Sequence, residues 1–150
     1  MAESIHPIDP IGRFLGSFAR ARAGETFDPT CAALATVDLA GQPSVRFVLV
    51  RSVDERGFCF FTNFRSRKAT DLESSPRASL AYHWASIGEQ VRVEGRVERL
   101  EDGASDAYFA GRPRGSQIGA WASAQSEPLD SDEALRKRVC ALEQRFAGQP

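Results

Sequence analysis

The chain has 150 residues, enough for one domain and hardly more. Nineteen Lys and Arg against 20 Asp and Glu give a formal net charge of −1, which excludes a nucleic-acid binder working by overall positive charge. No apolar run reaches the roughly 18 residues of a membrane span. Cys31, Cys59 and Cys140 are too few and too dispersed for a disulfide framework or a zinc site.

These cysteines read as free thiols of a reducing cytoplasm. Met1 to Pro10 carries Glu3 and Asp9 and no hydrophobic stretch, so it is not read as a secretory signal. Residues 1–8 are expected to be disordered. Asp9-Pro10 has the form of an N-cap followed by proline at the first helical position. Ile11, Phe14, Leu15 and Phe18 then recur at helical spacing, and Gly24 to Pro29 breaks the helix. Cys31 to Val37 reads as a buried apolar strand, Leu39 to Gln42 as a turn, and Val45 to Val50 as a second strand. Asp54 to Gly57 makes a hairpin turn into a third strand, Phe58 to Thr62. A short helix is predicted from Ser66 to Ser74, stopped by Pro76. Ala78 to Trp84 is a fourth strand.

Gln90 to Glu98 alternates valine with charge, the period of a half-buried antiparallel strand. Arg92, Glu94, Arg96 and Glu98 share its wet face. Gly103 to Phe109 reads as helix and Arg112 to Ser116 as loop. Asp130 with Glu133 resembles a capping box. Leu135, Val139, Leu142 and Phe146 form the apolar stripe of a last helix. The sequence ends at Gln149-Pro150 just after it, which reads as a truncation. Five or so antiparallel strands with short connections and flanking helices give an α+β fold, a small barrel or curled sheet in a single domain over residues 1–150.

Side-chain catalysis finds little support. The two histidines, His6 and His83, lie far apart, so no metal site is expected. Nucleophile elbow, P-loop and dinucleotide fingerprints are all missing. An enzyme built this way leaves its difficult chemistry to a cofactor.

Three constellations stand out. The first runs from Phe60 to Lys68, where a strand gives way to a helix. A helix N-terminus beside Arg65, Arg67 and Lys68 suits an anion, and a phosphate in particular. A solvated basic turn is the plainer alternative. In the second, Arg46 and Arg51 bracket an apolar strand and face opposite sides of it. An arginine at a half-buried strand position needs an anionic partner, unless it reaches solvent at the strand end. The third, Tyr108 to Ser126, joins a guanidinium-rich loop to hydroxyls, amides and aromatics. It suits a second phosphate ester, or it is an ordered surface loop.

Together the blocks Arg46 to Ala69, Glu89 to Leu100 and Tyr108 to Ser126 resemble the pyridoxamine 5′-phosphate oxidase family of FMN-dependent enzymes in vitamin B6 salvage. The likeness runs from about Asp9 to Phe146, and the third block is its most specific part. It implies a predominantly antiparallel split β-barrel, the FMN-binding split barrel, and a homodimer with FMN at the interface. Matched motif by motif, it assigns Arg46, Phe47, Val48, Leu49, Val50 and Arg51 to the flavin, by backbone and side chain. Phe61 and Thr62 go to the ribityl and phosphate region, and Arg67 and Lys68 to the phosphate grip. Gln90, Gln125 and Ser126 complete the cofactor site. The substrate contacts fall on Arg51, Tyr108, Arg112 and Ser116.

The resemblance implies oxidation of pyridoxamine or pyridoxine 5′-phosphate to pyridoxal 5′-phosphate, with dioxygen as acceptor and hydrogen peroxide as product. It requires no catalytic side chain, no metal, no nucleic acid and no membrane. The alternatives are a split-barrel protein that binds FMN or pyridoxal phosphate without turnover, or an oxidase of another substrate on the same scaffold. The sequence departs from the family pattern in three places. Arg51 replaces a lysine, and a planar fork is not equivalent to a point charge. Phe61 replaces a tyrosine. The family's C-terminal segment, with its tryptophan and Arg-Leu-His-Asp-Arg motif, has no counterpart in these 150 residues.

Overall fold

The computed structural model describes residues 9–149, so His6 and the disorder expected for residues 1–8 lie outside the described residues. Helix α1 (Pro10–Gly24) begins as its sequence dictates: the Asp9 carboxylate accepts from the Ile11 and Gly12 amides at 3.0 and 2.9 Å, with proline in the first turn. A Cβ at Gly12 would sit 2.3 Å from the second oxygen of the capping carboxylate, so a side chain there would push the cap out of place.

Five strands follow: β1 (Cys31–Val37), β2 (Pro43–Asp54), β3 (Gly57–Phe60), β4 (Arg77–Trp84) and β5 (Glu89–Arg96). They form one antiparallel sheet in the order β3-β2-β1-β4-β5. Helix α2 (Arg67–Ser74) links β3 to β4, and a short 3-10 turn (Ala85–Ile87) links β4 to β5. Helices α3 (Asp102–Ala110), α4 (Arg114–Ala122) and α5 (Asp132–Arg145) complete the α+β architecture.

The turns are closed by aspartates. Asp38 accepts from the Ala40 and Gln42 amides at 2.9 Å, and Asp54 from the Arg56 amide at 2.9 Å. Gly57, at φ 129, takes the backbone conformation that starts β3.

The two faces of the sheet differ sharply. One carries Ala32, Leu34, Thr36, Val48, Val50, Leu80, Tyr82 and Trp84, all buried. Phe14 of α1 lies at the centre of this face. Its ring is 4.8 Å from Phe58, edge-on, 5.2 Å from Tyr82 and 5.5 Å from Trp84. Such rings bury much apolar area and gain a further ~1 kcal/mol per edge contact. Trp84 Nε1 donates to the Pro29 carbonyl at 3.0 Å, so its polar atom is satisfied.

The Tyr82 hydroxyl is the exception, the one buried side-chain polar atom without a hydrogen-bond partner among the described residues. Burial pushes its pKa well above the usual phenol value. Tyr82→Phe removes an unpaired polar group at no cost in packing, so it should stabilise the fold by about 1 kcal/mol or more. Equilibrium urea unfolding measures this, and an unchanged or lower midpoint refutes it.

The opposite face is open, and across β1 and β2 it is apolar. Val45 and Phe47 of β2 are 67% and 77% exposed, and Val37 and Leu49 lie beside them. Strand β1 is therefore not buried throughout, as its composition suggested. Only Ala32, Leu34 and Thr36 are buried, because β1 lies at the centre of a sheet covered on one side.

Other boundaries also move. Strand β2 runs four residues beyond Val50, because the hairpin keeps it paired to β3, with a bulge between Val50 and Ser52. Strand β3 stops at Phe60 rather than Thr62. The expected loop Arg112 to Ser116 is half helix, since α4 begins at Arg114 just after Pro113. Proline disfavours helix before it but not after it. The cap of α5 is Ser131, whose hydroxyl accepts from the Ala134 amide at 3.1 Å, rather than Asp130. The stripe Leu135, Val139, Leu142 and Phe146 is half-buried, and Trp121 of α4 packs on Phe146 at 5.8 Å.

Candidate functional site

The chain leaves β3 at Phe60 and turns tightly into α2. Asn63 accepts from the Arg65 amide through its side chain at 2.8 Å and from the Ser66 amide through its carbonyl at 3.0 Å. This turn sets Thr62 against the first turn of α2. Lys68 is buried there, and its ammonium donates to Thr62 Oγ1 at 3.0 Å and Gln125 Oε1 at 2.8 Å. The Ser66 hydroxyl lies 3.3 Å from that of Thr62. Desolvation, and then the nearby Arg46 guanidinium, hold Lys68 below the usual lysine pKa.

Gln125 and Ser126 reach this corner from the segment after α4. Ser126 is the one described non-glycine residue with a left-handed backbone, at φ 70. Such a conformation is costly unless its surroundings impose it. Its hydroxyl accepts from the Arg67 backbone N–H at 3.3 Å, a cap supplied from another part of the fold. The Arg67 side chain is exposed, with Asp38 4.0 Å away.

Behind the corner, Arg46 is half-buried on the core side of β2. It donates to Thr36 Oγ1 at 2.6 Å, Ser44 Oγ at 2.7 Å and the Leu34 carbonyl at 3.3 Å. Asp71 of α2, buried, accepts from Thr36 Oγ1 at 2.6 Å and lies 3.6 Å from the Arg46 guanidinium. This is the anionic partner that a half-buried strand arginine requires. Desolvation lowers the Arg46 pKa, Asp71 opposes this, and Arg67 adds to it. Sequence reading missed Asp71. Its signal was Thr36, a hydroxyl at a buried position of an apolar strand.

A second cluster adjoins the first. Phe61 precedes Thr62, and its ring stacks flat on Tyr108 of α3, with centroids 3.8 Å apart and planes 4° from parallel. Arg51 Nε donates to the Tyr108 hydroxyl at 3.3 Å. The Arg112 guanidinium lies 6.0 Å from the Tyr108 ring and 5.9 Å from that of Phe109. The corner between α3 and α4 is clamped by the Gln117 amide, 3.1 Å from the carbonyls of Phe109, Ala110 and Arg112. Gln117 was not among the residues expected at the site, and no local pattern marks that clamp.

The fold thus gathers Thr62, Arg67, Lys68, Gln125 and Ser126 in one corner, with Arg46 behind it. It gathers Arg51, Phe61, Tyr108 and Arg112 in the next. Val48 and Val50 point into the core, so their side chains are withdrawn and only their main-chain atoms remain for a ligand. Phe47 and Leu49 lie on the open face. Ser116 is exposed in the first turn of α4. Gln90 is exposed on β5, paired with His83 and four strand positions from β3. That is on the order of 19 Å at ordinary strand spacing, too far to join either corner.

The donors in the first corner suit a phosphate: an ammonium, a guanidinium, two hydroxyls and the start of a helix. The described residues contain no group of three potential metal ligands. None of their helices is long and apolar enough to cross a membrane.

Residues 22–146 match the family described as pyridoxamine 5′-phosphate oxidase. A pyridoxine/pyridoxamine 5′-phosphate oxidase of Anaeromyxobacter dehalogenans is 56% identical over 140 residues, covering 93% of this chain and 71% of that one. One of Myxococcus xanthus is 51% identical over 144 residues, covering 96% of this chain and 70% of that one. Among solved structures, PhzG of Burkholderia lata, in complex with tetrahydrophenazine-1-carboxylic acid, is similar with a TM-score of 0.84 and 30% identity, covering 99% of this chain and 77% of that one. A pyridoxamine 5′-phosphate oxidase-related, FMN-binding protein of Nostoc punctiforme shares the fold, with a TM-score of 0.66 and 21% identity over 90% of this chain and 72% of that one.

Proposed function

The chain belongs to the pyridoxamine 5′-phosphate oxidase family, and from that premise we propose that it is an FMN-dependent oxidase. Pyridoxamine or pyridoxine 5′-phosphate is the substrate, dioxygen the acceptor, and pyridoxal 5′-phosphate and hydrogen peroxide the products. The observation that carries this reading is the convergence of Thr62, Lys68 and Gln125 on one point, with Arg67 and Ser126 joined beside it.

Lys68, Arg67, Thr62, Gln125 and Ser126 hold the cofactor phosphate, and Arg46 supports them from behind. Bound FMN supplies the two-electron oxidation of the substrate carbon. The protein contributes position. Arg51, Arg112 and Ser116 anchor the substrate phosphate, and Tyr108 with Phe61 offers flat apolar walls to a planar ring. Fixing two ring systems in register turns a bimolecular encounter into an oriented one, which is where such a site gains most of its rate. No side-chain nucleophile takes part.

The working unit is a homodimer in the cytoplasm, with FMN between the protomers. Two features support the dimer. An open face carrying Val45 and Phe47 is more apolar than a free surface should be. Gln90, which the resemblance assigns to the cofactor, sits on that same face, remote from its own phosphate corner, so it would serve a flavin only across a contact with a second copy.

The test is anaerobic mixing of FMN-loaded protein with pyridoxamine 5′-phosphate. Bleaching of the flavin band, and peroxide on admitting air, are expected. An unbleached band refutes the oxidase. The likeness to PhzG favours a second reading, in which the same scaffold oxidises a different cyclic substrate. A substrate panel scored by flavin reduction separates the two. Within the first reading, Arg112→Ala should raise the KM for pyridoxamine 5′-phosphate about tenfold or more while leaving flavin content unchanged. Steady-state kinetics beside the absorbance ratio at 450 and 280 nm measures both.

A further inference from the structure

Three cations, Arg46, Arg67 and Lys68, crowd the phosphate corner, and they repel one another. Arg67 lowers the Arg46 pKa and Arg46 lowers that of Lys68. One buried carboxylate stands beside Arg46, while the more exposed Asp38 lies 4.0 Å from Arg67. Asp71 sits one helical turn beyond Arg67 and Lys68, on the face of α2 turned to the sheet, and it is 4% exposed. It accepts the Thr36 hydroxyl at 2.6 Å, and that hydroxyl in turn accepts from Arg46 at 2.6 Å. Its own approach to the Arg46 guanidinium, 3.6 Å, is an ion pair in a partly desolvated place.

We propose that Asp71 is the resident counter-ion of the phosphate corner: through its pairing with Arg46 it lowers the net positive charge of the corner while the site is empty, and its charge opposes the phosphate once the site fills. This deepens the FMN reading and rests on it. Geometry separates the charge role from a tethering role. Arg46 keeps three other acceptors, Leu34 O, Thr36 Oγ1 and Ser44 Oγ, so its position does not depend on the carboxylate alone. Asparagine at 71 fills the same space and still accepts from Thr36. What it removes is a negative charge close to an incoming dianion. A helix-to-sheet tether predicts weaker cofactor binding when weakened, whereas a counter-ion predicts tighter binding and a less stable empty protein.

The experiment compares wild type, Asp71→Asn and Thr36→Val. Melting temperatures are read without ligand and in a series of inorganic phosphate concentrations. Dissociation constants are read for FMN and for riboflavin, which lacks the phosphate. For Asp71→Asn the empty protein should melt lower, phosphate should raise its melting point more than it raises that of wild type, and FMN should bind about three- to tenfold tighter, as loss of one like charge at moderate effective dielectric implies. Riboflavin affinity should not change. Thr36→Val cuts the hydrogen bond and keeps the charge, so it should not tighten FMN.

Weaker or unchanged FMN binding by Asp71→Asn, or an equal gain for riboflavin, overturns the proposal. So does an Asp71→Asn chain that stays unfolded in saturating phosphate, because a counter-ion is replaceable by the anion it stands in for. If wild type binds no FMN, the cofactor reading fails on its own, and the phosphate series still decides the role of Asp71.

Discussion

Lys68→Ala should raise the FMN dissociation constant by about 10- to 150-fold, the range for removing hydrogen bonds to a charged group. The Lys68 ammonium is buried and already aimed between Thr62 and Gln125, so little entropy remains to be lost when a phosphate arrives. Fluorescence titration measures the effect, because FMN quenches on binding. Arg67→Ala should cost less, since that side chain is 56% exposed and screened by water. If Lys68→Ala binds FMN as wild type does, the phosphate lies elsewhere. The same placement has a pH signature. The ammonium is the phosphate-binding form, and burial holds its pKa below that of an ordinary lysine. Flavin affinity should therefore fall as pH rises through that lowered pKa, before an exposed lysine would lose its proton.

Phe47→Glu should split the proposed dimer and empty it of flavin together. Phe47 is 77% exposed on β2, opposite Ala33 of β1 and flanked by Val45 and Leu49. Burying one such ring contributes about 1.5–3 kcal/mol, and a twofold interface counts it twice. Glutamate would also place two unpaired carboxylates in the contact. Size exclusion with light scattering should show the 16.4 kDa monomer, and the absorption spectrum should lose its flavin band. Far-UV circular dichroism should stay unchanged, because the open face contributes nothing to the core of its own chain. A variant that remains dimeric and yellow refutes both the interface and the shared cofactor site.

Local periodicity carried much of the fold. Strand β1 was legible to the residue, and the stripe of α5 and the cap of α1 were legible because each depends on neighbours within a few positions. Helix α4 was misread at its start. Pro113 and Gly115 resemble loop residues, yet proline before a helix and glycine in its exposed first turn cost little. The alternating burial of β1 needed knowledge of which face is covered, and no single strand contains that.

The site divided along the same line. The cations of α2 were visible as a patch, and Arg46 was read as needing an anion unless it reached solvent at the strand end. Which anion, and the arrival of Gln125 at Lys68 across 57 residues, depended on tertiary structure, so local chemistry did not yield them. Gln125 and Ser126 were visible only as the end of the polar stretch Tyr108 to Ser126, and their assignment to the cofactor came through family likeness. Asp71 did not enter at all, because a helical aspartate reads as solvated until its neighbours are known.

Strand β5 has a consequence for solubility. It closes one edge of the sheet, and its free side offers main-chain donors and acceptors to any extended peptide that drifts past. Such margins seed fibrils and sticky oligomers. Arg92, Glu94 and Arg96 project along this one, with Arg92 and Glu94 paired at 2.8 Å and Arg96 reaching Glu98 at 3.5 Å. An incoming strand would have to strip water from that charged row, at a cost its new backbone bonds do not recover. Crowded copies of the chain are thereby kept from zipping together side by side.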